Sequence, residues 1–388
     1  MNEIIFFGRN ENPKLIKNEL NIIRKPIQFK FENENENEKQ IKQIAPRNYS
    51  IIFLFENGKA IEYLNENDSN QKPEKIQIEN IQKVSVGFQN EAILTIEGNV
   101  FAKGFNINPR NSDEFINISS LIEDKNDRII QDVVCSRNSI YLLTSNQNAY
   151  GIGLNVFGQL GFDSKTLKKT QKPILIMKNV SKIFSGNSSN HVFLLNSNQE
   201  LFGCGSNRCG QLGLGESIKE TLIQKLTKIQ NIPKGKIIDI QCGFNHSIML
   251  IEDENQNPKR KLYLCGDYKY NQPFQKENTY EFTEIKSSLF ENDDIIDFSV
   301  GGAHNLILTS NSKLIGFGIN DYGQLGTGNI IKQLIPIQIE LPKLRFNEEI
   351  SNYHLSCGFS KSFLYYSPPS FSNLEEDLIK SKLNQNQN

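Results

Sequence analysis

The stretch from Asp297 to Gly328, DFSVGGAHNLILTSNSKLIGFGINDYGQLGTG, constrains this chain more than any other feature, because the rest of the sequence keeps repeating it. Two short apolar runs, Asn305 to Thr309 and Lys313 to Phe317, flank the polar link Ser310-Asn311-Ser312, a pattern that reads as a β-hairpin. A glycine-rich close follows in Gly318, Asn320, Gly323, Gly326 and Gly328. These residue types tolerate positive φ and close backbone approach, so the chain can turn sharply after the hairpin.

Two glycine landmarks lay this unit over the chain. The first stands just before the hairpin in Gly87, Gly186, Gly243, Gly301 and Gly358, with Pro46 and Ser136 standing where the glycine is lost. That gives seven copies at spacings of 41 to 58 residues by subtraction, near the period of a propeller or a solenoid. The second landmark ends the hairpin in Gly104, Gly153, Gly205, Gly266 and Gly318. Three copies continue into a G-Q-L-G turn, at Gly158 to Gly161, Gly210 to Gly213 and Gly323 to Gly326.

A C-G-x-x-H-[ST] start, an apolar strand, a polar tip and a G-x-N-x-[FY]-G-Q-L-G close resembles the regulator of chromosome condensation repeat family. Gln241 to Ile248, Gly153 to Gly161 and Gly316 to Gly328 carry the likeness most clearly, and it runs from Ile4 to about Ser367. The resemblance implies an all-β fold, a seven-bladed β-propeller with four strands per blade. Ile4 to Asn10 reads as the second half of a hairpin without a first, and Leu355 to Tyr366 as a first half without a second. The N-terminal strand is therefore expected to close the last blade, which removes the exposed sheet edge that an open ring would present. Residues 1–367 then form one propeller domain. Residues 368–388 form a C-terminal tail, with helical spacing in Leu374, Leu378, Ile379 and Leu383.

Composition narrows the function. Lys and Arg number 43 against 44 Asp and Glu, with neither sign in a long block, and Met1 to Gly8 carries no basic tail. The densest cationic stretches, Lys165 to Lys169 and Pro258 to Lys261, read as solvated loop charges rather than a phosphate-tracking surface, so no nucleic-acid partner is indicated. The start lacks a secretory signal, and no stretch is long enough to span a bilayer. Cys135, Cys242 and Cys357 recur in one slot and Cys204 and Cys265 in another, as small buried hydrophobes do; only Cys209 sits in a loop that reads as exposed. Neither a disulfide framework nor a metal knot fits that spacing, and a reducing cytoplasm, with the nucleus as a second compartment, follows.

Catalysis finds no foothold. His246 and His304 share one repeat slot, which suits a structural hydrogen-bonding role, and no nucleophile elbow, H-E-x-x-H or Walker pattern occurs. No cofactor is expected. What remains is binding by loops on a rigid ring. In exchange-factor members of the family a loop leaving the second blade looks like the wedge set against the GTPase, which marks Asn106, Arg110, Asp113 and Glu114 in the long segment Asn106 to Asp127. The G-N-D-H start of the third blade in factors for the GTPase Ran matches Ser136-Arg137-Asn138-Ser139, so Asn138 keeps the hydrogen bonding and loses the charge. The last-blade histidine of that group aligns with Lys361, and His246 completes the contact candidates. His191 falls two residues away from the repeat position. Glu252 to Arg260 and Asp267 to Asp293 are further variable loops, and Phe31 to Glu38 reads as a flexible acidic-polar excursion. The expectation is a monomeric, non-catalytic protein-interaction propeller, with a guanine-nucleotide exchange factor for a small GTPase of the Ran or Ras type as the alternative.

Overall fold

In every copy, the run that begins at or beside the repeat histidine is buried along its length but for at most its last residue, as in His304–Thr309 and Ser139–Thr144. A strand without an exposed face must be covered by sheets on both sides. The computed structural model describes residues 4–10, 20–29, 40–64, 73–104, 107, 114–218, 220–267, 278–342 and 349–367, and within them the copies form seven four-stranded antiparallel sheets.

Blade 1 comprises Ile41–Pro46, Ser50–Phe55, Ala60–Leu64 and Glu74–Lys75. Blade 2 comprises Ile81–Val86, Asn90–Thr95, Val100–Gly104 and Ile116–Asn117; blade 3, Ile130–Cys135, Ser139–Thr144, Ala149–Leu154 and Lys169–Met177. Blade 4 comprises Val180–Phe184, His191–Asn196, Leu201–Ser206 and Leu222–Lys228; blade 5, Lys236–Cys242, His246–Glu252, Arg260–Gly266 and Thr279–Glu284. Blade 6 comprises Ile295–Val300, His304–Thr309, Leu314–Gly318 and Gln333–Ile339. Blade 7 takes Tyr353–Cys357 and Lys361–Tyr366 from the C-terminal side, then Ile4–Arg9 and Ile22–Phe29 from the N-terminal side. The expected closure is thus present, in the register Ile4 to Tyr365, Ile5 to Leu364 and Phe6 to Phe363. The Phe6 and Phe363 rings meet at 5.0 Å, and Phe363 also meets Phe53 of blade 1 at 6.5 Å, so the seam is packed as core. Apolar layers fill the spaces between blades, as where Ile248 and Leu264 of blade 5 face Phe298, Ile307 and Phe317 of blade 6.

First strands of neighbouring blades pack against one another around the axis. In blades 1 to 6 each first strand carries a register shift, and the residue following it is Gln43, Lys83, Asp132, Lys182, Asp239 or Asp297. A bulge re-aims a side chain. Here it gives an apolar strand one polar residue, and several of these residues link neighbouring blades. Gln43 bonds both Val84 N and Val84 O, Lys83 pairs with Asp132 at 2.6 Å, and Asp297 accepts from Leu355 N at 2.7 Å.

Several expectations shift by small, explicable amounts. The landmark equivalent in blade 1 is Arg47 rather than Pro46, because Arg47 N bonds Ser50 O as Gly87 N bonds Asn90 O. His191 is not displaced: it opens the second strand of blade 4 and pairs with Gly205, as His246 pairs with Gly266, and the two extra residues lie in the preceding turn. Asn106 to Asp127 is not all loop, since Ile116–Asn117 is the outer strand of blade 2 and Ile107, Ile118 and Ile122 are buried. Within Asp267 to Asp293, Thr279–Glu284 is likewise an outer strand. Asn106, Arg110 and Asp113, the excursion Phe31 to Glu38 and the spacing Leu374 to Leu383 lie outside the described residues.

Candidate interaction face

Both landmarks lie at one end of the ring, because the residue that opens each second strand pairs across the hairpin with the second-landmark glycine. The pairs are Asn90 with Gly104, Ser139 with Gly153, His191 with Gly205, His246 with Gly266, His304 with Gly318 and Lys361 with Gly8. Gly104, Gly153, Gly205, Gly266 and Gly8 hold φ between 110° and 127°, and a Cβ on any of them would lie 2.9 Å or less from the Cα of its partner. No L side chain fits there.

The first landmark has a different cause. A Cβ on Gly243 would lie 2.0 Å from Cε1 of His246, and one on Gly301 would lie 2.2 Å from Cε1 of His304: the imidazole takes the space. Where the opening residue is serine, as at Ser50 and Ser139, the landmark is Arg47 or Ser136 and tolerates a side chain.

The opening residues form a belt from blade to blade. His191 Nε2 meets Ser247 Oγ at 2.7 Å, His246 Nε2 meets Asn305 Oδ1 at 2.8 Å, and His304 Nε2 meets Ser362 Oγ at 2.9 Å. Ser247 and Ser362 donate onward to the carbonyls of Gln211 and Gln324 in the G-Q-L-G turns. Each such turn is held from within: Gln211 Oε1 accepts Cys209 N and Asn207 Oδ1 accepts Leu212 N, with Leu212 buried. Burial pushes the imidazoles down, His191 and His304 to about 3 and His246 to about 4, so they are neutral and serve as structural links.

Two contact candidates are corrected by this belt. His246 is fully buried, and Lys361 is 1% exposed with its Nζ on Asn48 O at 3.3 Å. Both occupy the opening slot between blades, where a partner cannot touch them. Asn138 does lie at this end, half-buried, with its Oδ1 lacking a hydrogen-bond partner among the described residues. Glu114 is exposed at the near side of blade 2. The Glu252 to Arg260 tip joins second and third strands and so lies at the opposite end, where Arg260 pairs with Glu252 at 2.7 Å and Lys259 with Glu254 at 2.6 Å. Its basic run is neutralised on the spot.

Sequence reading missed the hub of this face. Asn187, in the long turn of blade 4, donates to Cys357 O at 3.2 Å and Pro46 O at 3.4 Å, so the turn spans the axis to blades 7 and 1. Around it the first-to-second-strand turns bring together aromatic rings: Tyr49 meets Phe88 at 6.2 Å, and Phe88 meets Phe359 at 5.9 Å. The guanidinium of Arg137 lies 4.8 Å from the ring centres of both Phe88 and Phe244. Tyr49 is 57% exposed and Phe244 36%. Farther out, Arg9 lies over Tyr322 and Arg208 over Phe157. The only sequence signal was the residue after each landmark, which is aromatic in three copies.

Among the described residues, nothing near this face resembles a catalytic constellation. The six cysteines are free thiols, five of them buried, and burial pushes Cys135, Cys204 and Cys357 up to about 12. Among the described residues no group of three acidic, histidine or cysteine side chains is placed to hold a metal, and no helix is long and apolar enough to cross a membrane.

Comparison with known proteins agrees with this geometry. Residues 198–250, 311–359 and, in a second form, 295–324 match the regulator of chromosome condensation (RCC1) repeat. The ultraviolet-B receptor UVR8 of Arabidopsis thaliana is 26% identical over 230 residues, 59% of this chain and 49% of the receptor. The human probable E3 ubiquitin-protein ligase HERC4 is 24% identical over 270 residues, 66% of this chain and 25% of the ligase. The chain thus spans half or less of these relatives' length. Among solved structures, Prp20p from Saccharomyces cerevisiae superposes with a TM-score of 0.75 at 17% identity, covering 98% of this chain and 95% of the other. Human WBSCR16 gives 0.75 at 15% identity, covering 95% and 99%.

Proposed function

From the premise that this chain is a seven-bladed propeller of regulator of chromosome condensation repeats, we propose that it is a non-catalytic scaffold that docks a protein partner on its landmark face. The hub carries the proposal: Phe88 and Phe244 lie over Arg137, with Tyr49 and Phe359 against Phe88, on turns whose backbones are bonded from blade to blade. Partly exposed aromatic and arginine side chains on a rigid support are the residue types that dominate binding energy at protein interfaces. A protein partner also agrees with Prp20p, a propeller of the same fold that binds Gsp1p and histones. The free thiols fit a reducing compartment, cytoplasm or nucleus.

Exchange on a small GTPase of the Ran or Ras type is the second reading, favoured by the unpaired Asn138 Oδ1 at the third-blade turn. It is weakened by the burial of Lys361 and His246. One pair of experiments separates them. Affinity purification with the full chain and with the Tyr49→Ala, Phe244→Ala double variant should recover partners only with the former; equal recovery ends the docking proposal. Release of labelled GDP from a panel of small GTPases should be unchanged by the protein, and acceleration of any of them would replace the scaffold reading by exchange.

A further inference from the structure

We infer that Arg137 anchors a carboxylate, so that the landmark face selects an acidic segment of its protein partner. This rests on the docking proposal above and adds to it the chemistry of the ligand.

Arg137 is held from both sides. Its N–H donates to Ser189 O of blade 4 at 2.9 Å, and its carbonyl accepts from Phe88 N at 3.1 Å and Gln89 N at 3.3 Å of blade 2. Its guanidinium carbon lies 4.8 Å from the ring centres of both Phe88 of blade 2 and Phe244 of blade 5. Contact with two rings gives the N–H edge of the guanidinium no oxygen acceptor.

Among the described residues no side chain or carbonyl accepts from that edge, and no carboxylate pairs with it. The other cations near the hub are accounted for: Arg47 and Lys103 both lie on Glu91, and Lys103 also on Glu62. Burial against the rings lowers the Arg137 pKa without a compensating acid, as expected of a cation whose counter-charge is to come from elsewhere. A fixed guanidinium edge matches the two oxygens of a carboxylate in a forked pair, which a lysine cannot reproduce. A phosphate would satisfy the same fork. The surroundings favour the carboxylate, because nucleic acid needs a row of unpaired cations and the hub offers aromatic rings instead.

The test titrates the full chain with a short poly-glutamate peptide and, in parallel, with a short oligothymidylate, reading the arginine Nε–H signals by NMR. Poly-glutamate should shift the Arg137 signal, and Arg137→Gln should weaken binding about tenfold, the scale of one charge-assisted pair. Arg137→Lys should recover only part, and unchanged thermal melts for both variants would show that the fold is intact. Absence of poly-glutamate binding, equal binding by Arg137→Gln, or tighter Arg137-dependent binding of oligothymidylate would each overturn the inference. If Arg137→Gln still recovers partners that the Tyr49→Ala, Phe244→Ala variant loses, the anchor fails while the docking face stands. If neither variant changes recovery, the docking face itself fails.

Discussion

Blades 4 to 6 and blades 1 and 2 fill the same position, the opening of the second strand, by opposite means. In blades 4 to 6 it holds His191, His246 and His304, all neutral, each bonded through Nε2 to the blade ahead. In blades 1 and 2 it holds Ser50 and Asn90, whose buried polar side-chain atoms have no hydrogen-bond partner among the described residues. The join there is ionic: Lys103 Nζ lies 2.6 Å from Glu91 Oε1 and 3.0 Å from Glu62 Oε2, with Arg47 at 3.6 Å from Glu91 and Phe115 under the Lys103 ammonium. Neutral directional bonds depend on one residue type per blade, so they survive as a visible repeat. A buried charge group depends on its balance, two carboxylates against two cations, and can be assembled from positions outside the motif.

Acid should reveal the largest contrast. The folded imidazoles resist protonation until about pH 4 to 3, whereas unfolded histidine titrates near 6.5. The unfolded state therefore binds more protons in this window, and the stability held above pH 6.5 is lost as pH falls toward the folded values. Asp297, raised to about 7 mainly by burial, and Asp239 and Glu56, also raised mainly by burial, oppose this in part, since their contribution is present at low pH and lost as pH rises through their folded values. Urea midpoints from pH 7 to 4 should fall steeply, and the variant with Asn at 191, 246 and 304 should give a flatter profile. An unchanged profile would mean the belt does not govern acid sensitivity.

Lys103→Met comes next. It leaves the Glu62 and Glu91 carboxylates buried beside one cation, a loss of about 3–5 kcal/mol. A loss below about 1 kcal/mol in urea unfolding would show that blades 1 and 2 are not joined by this charge group.

Gly243→Ala should cost about 1–3 kcal/mol by forcing the His246 ring from its place. Blade 3 supplies the remedy: Gly243→Ser with His246→Ser copies Ser136 and Ser139, and should cost less than the two single changes combined. Additive costs in that double-mutant cycle would mean that the imidazole is not what keeps the first landmark glycine.

Tyr49→Ala should alter stability least, within about 0.5 kcal/mol for an exposed ring, while reducing partner recovery. A large drop in thermal midpoint would reassign Tyr49 from docking to hub packing.

The legible part of the sequence and the hidden part divide along the same line. Seven copies, the closure by Ile4–Arg9 and the turn chemistry of Gly158, Gly210 and Gly323 could be read because each is a demand of local backbone on a few neighbouring residues. His191 was misplaced because residue counting assigns an insertion to the strand, whereas pairing with Gly205 fixes the strand and expels the extra residues into the turn. Lys361 and His246 looked available because alignment reports which residue stands at a position, not which blade covers it. The polar ring of Gln43, Lys83, Asp132, Lys182, Asp239 and Asp297 went unseen because a bulge, not the alternation of the strand, aims those side chains.

The sequence by itself determined the repeat unit, the number of blades and the place where the ring is joined, since hairpins and glycine turns are short-range and each copy states them again. Only the tertiary structure decided that Phe88, Arg137 and Phe244, from blades 2, 3 and 5, make one surface, and that Asn187 reaches the carbonyls of blades 1 and 7. Those contacts exist only once the circle closes. Closing it brings turns that are far apart along the chain to one axis, a proximity that no pattern along the chain records.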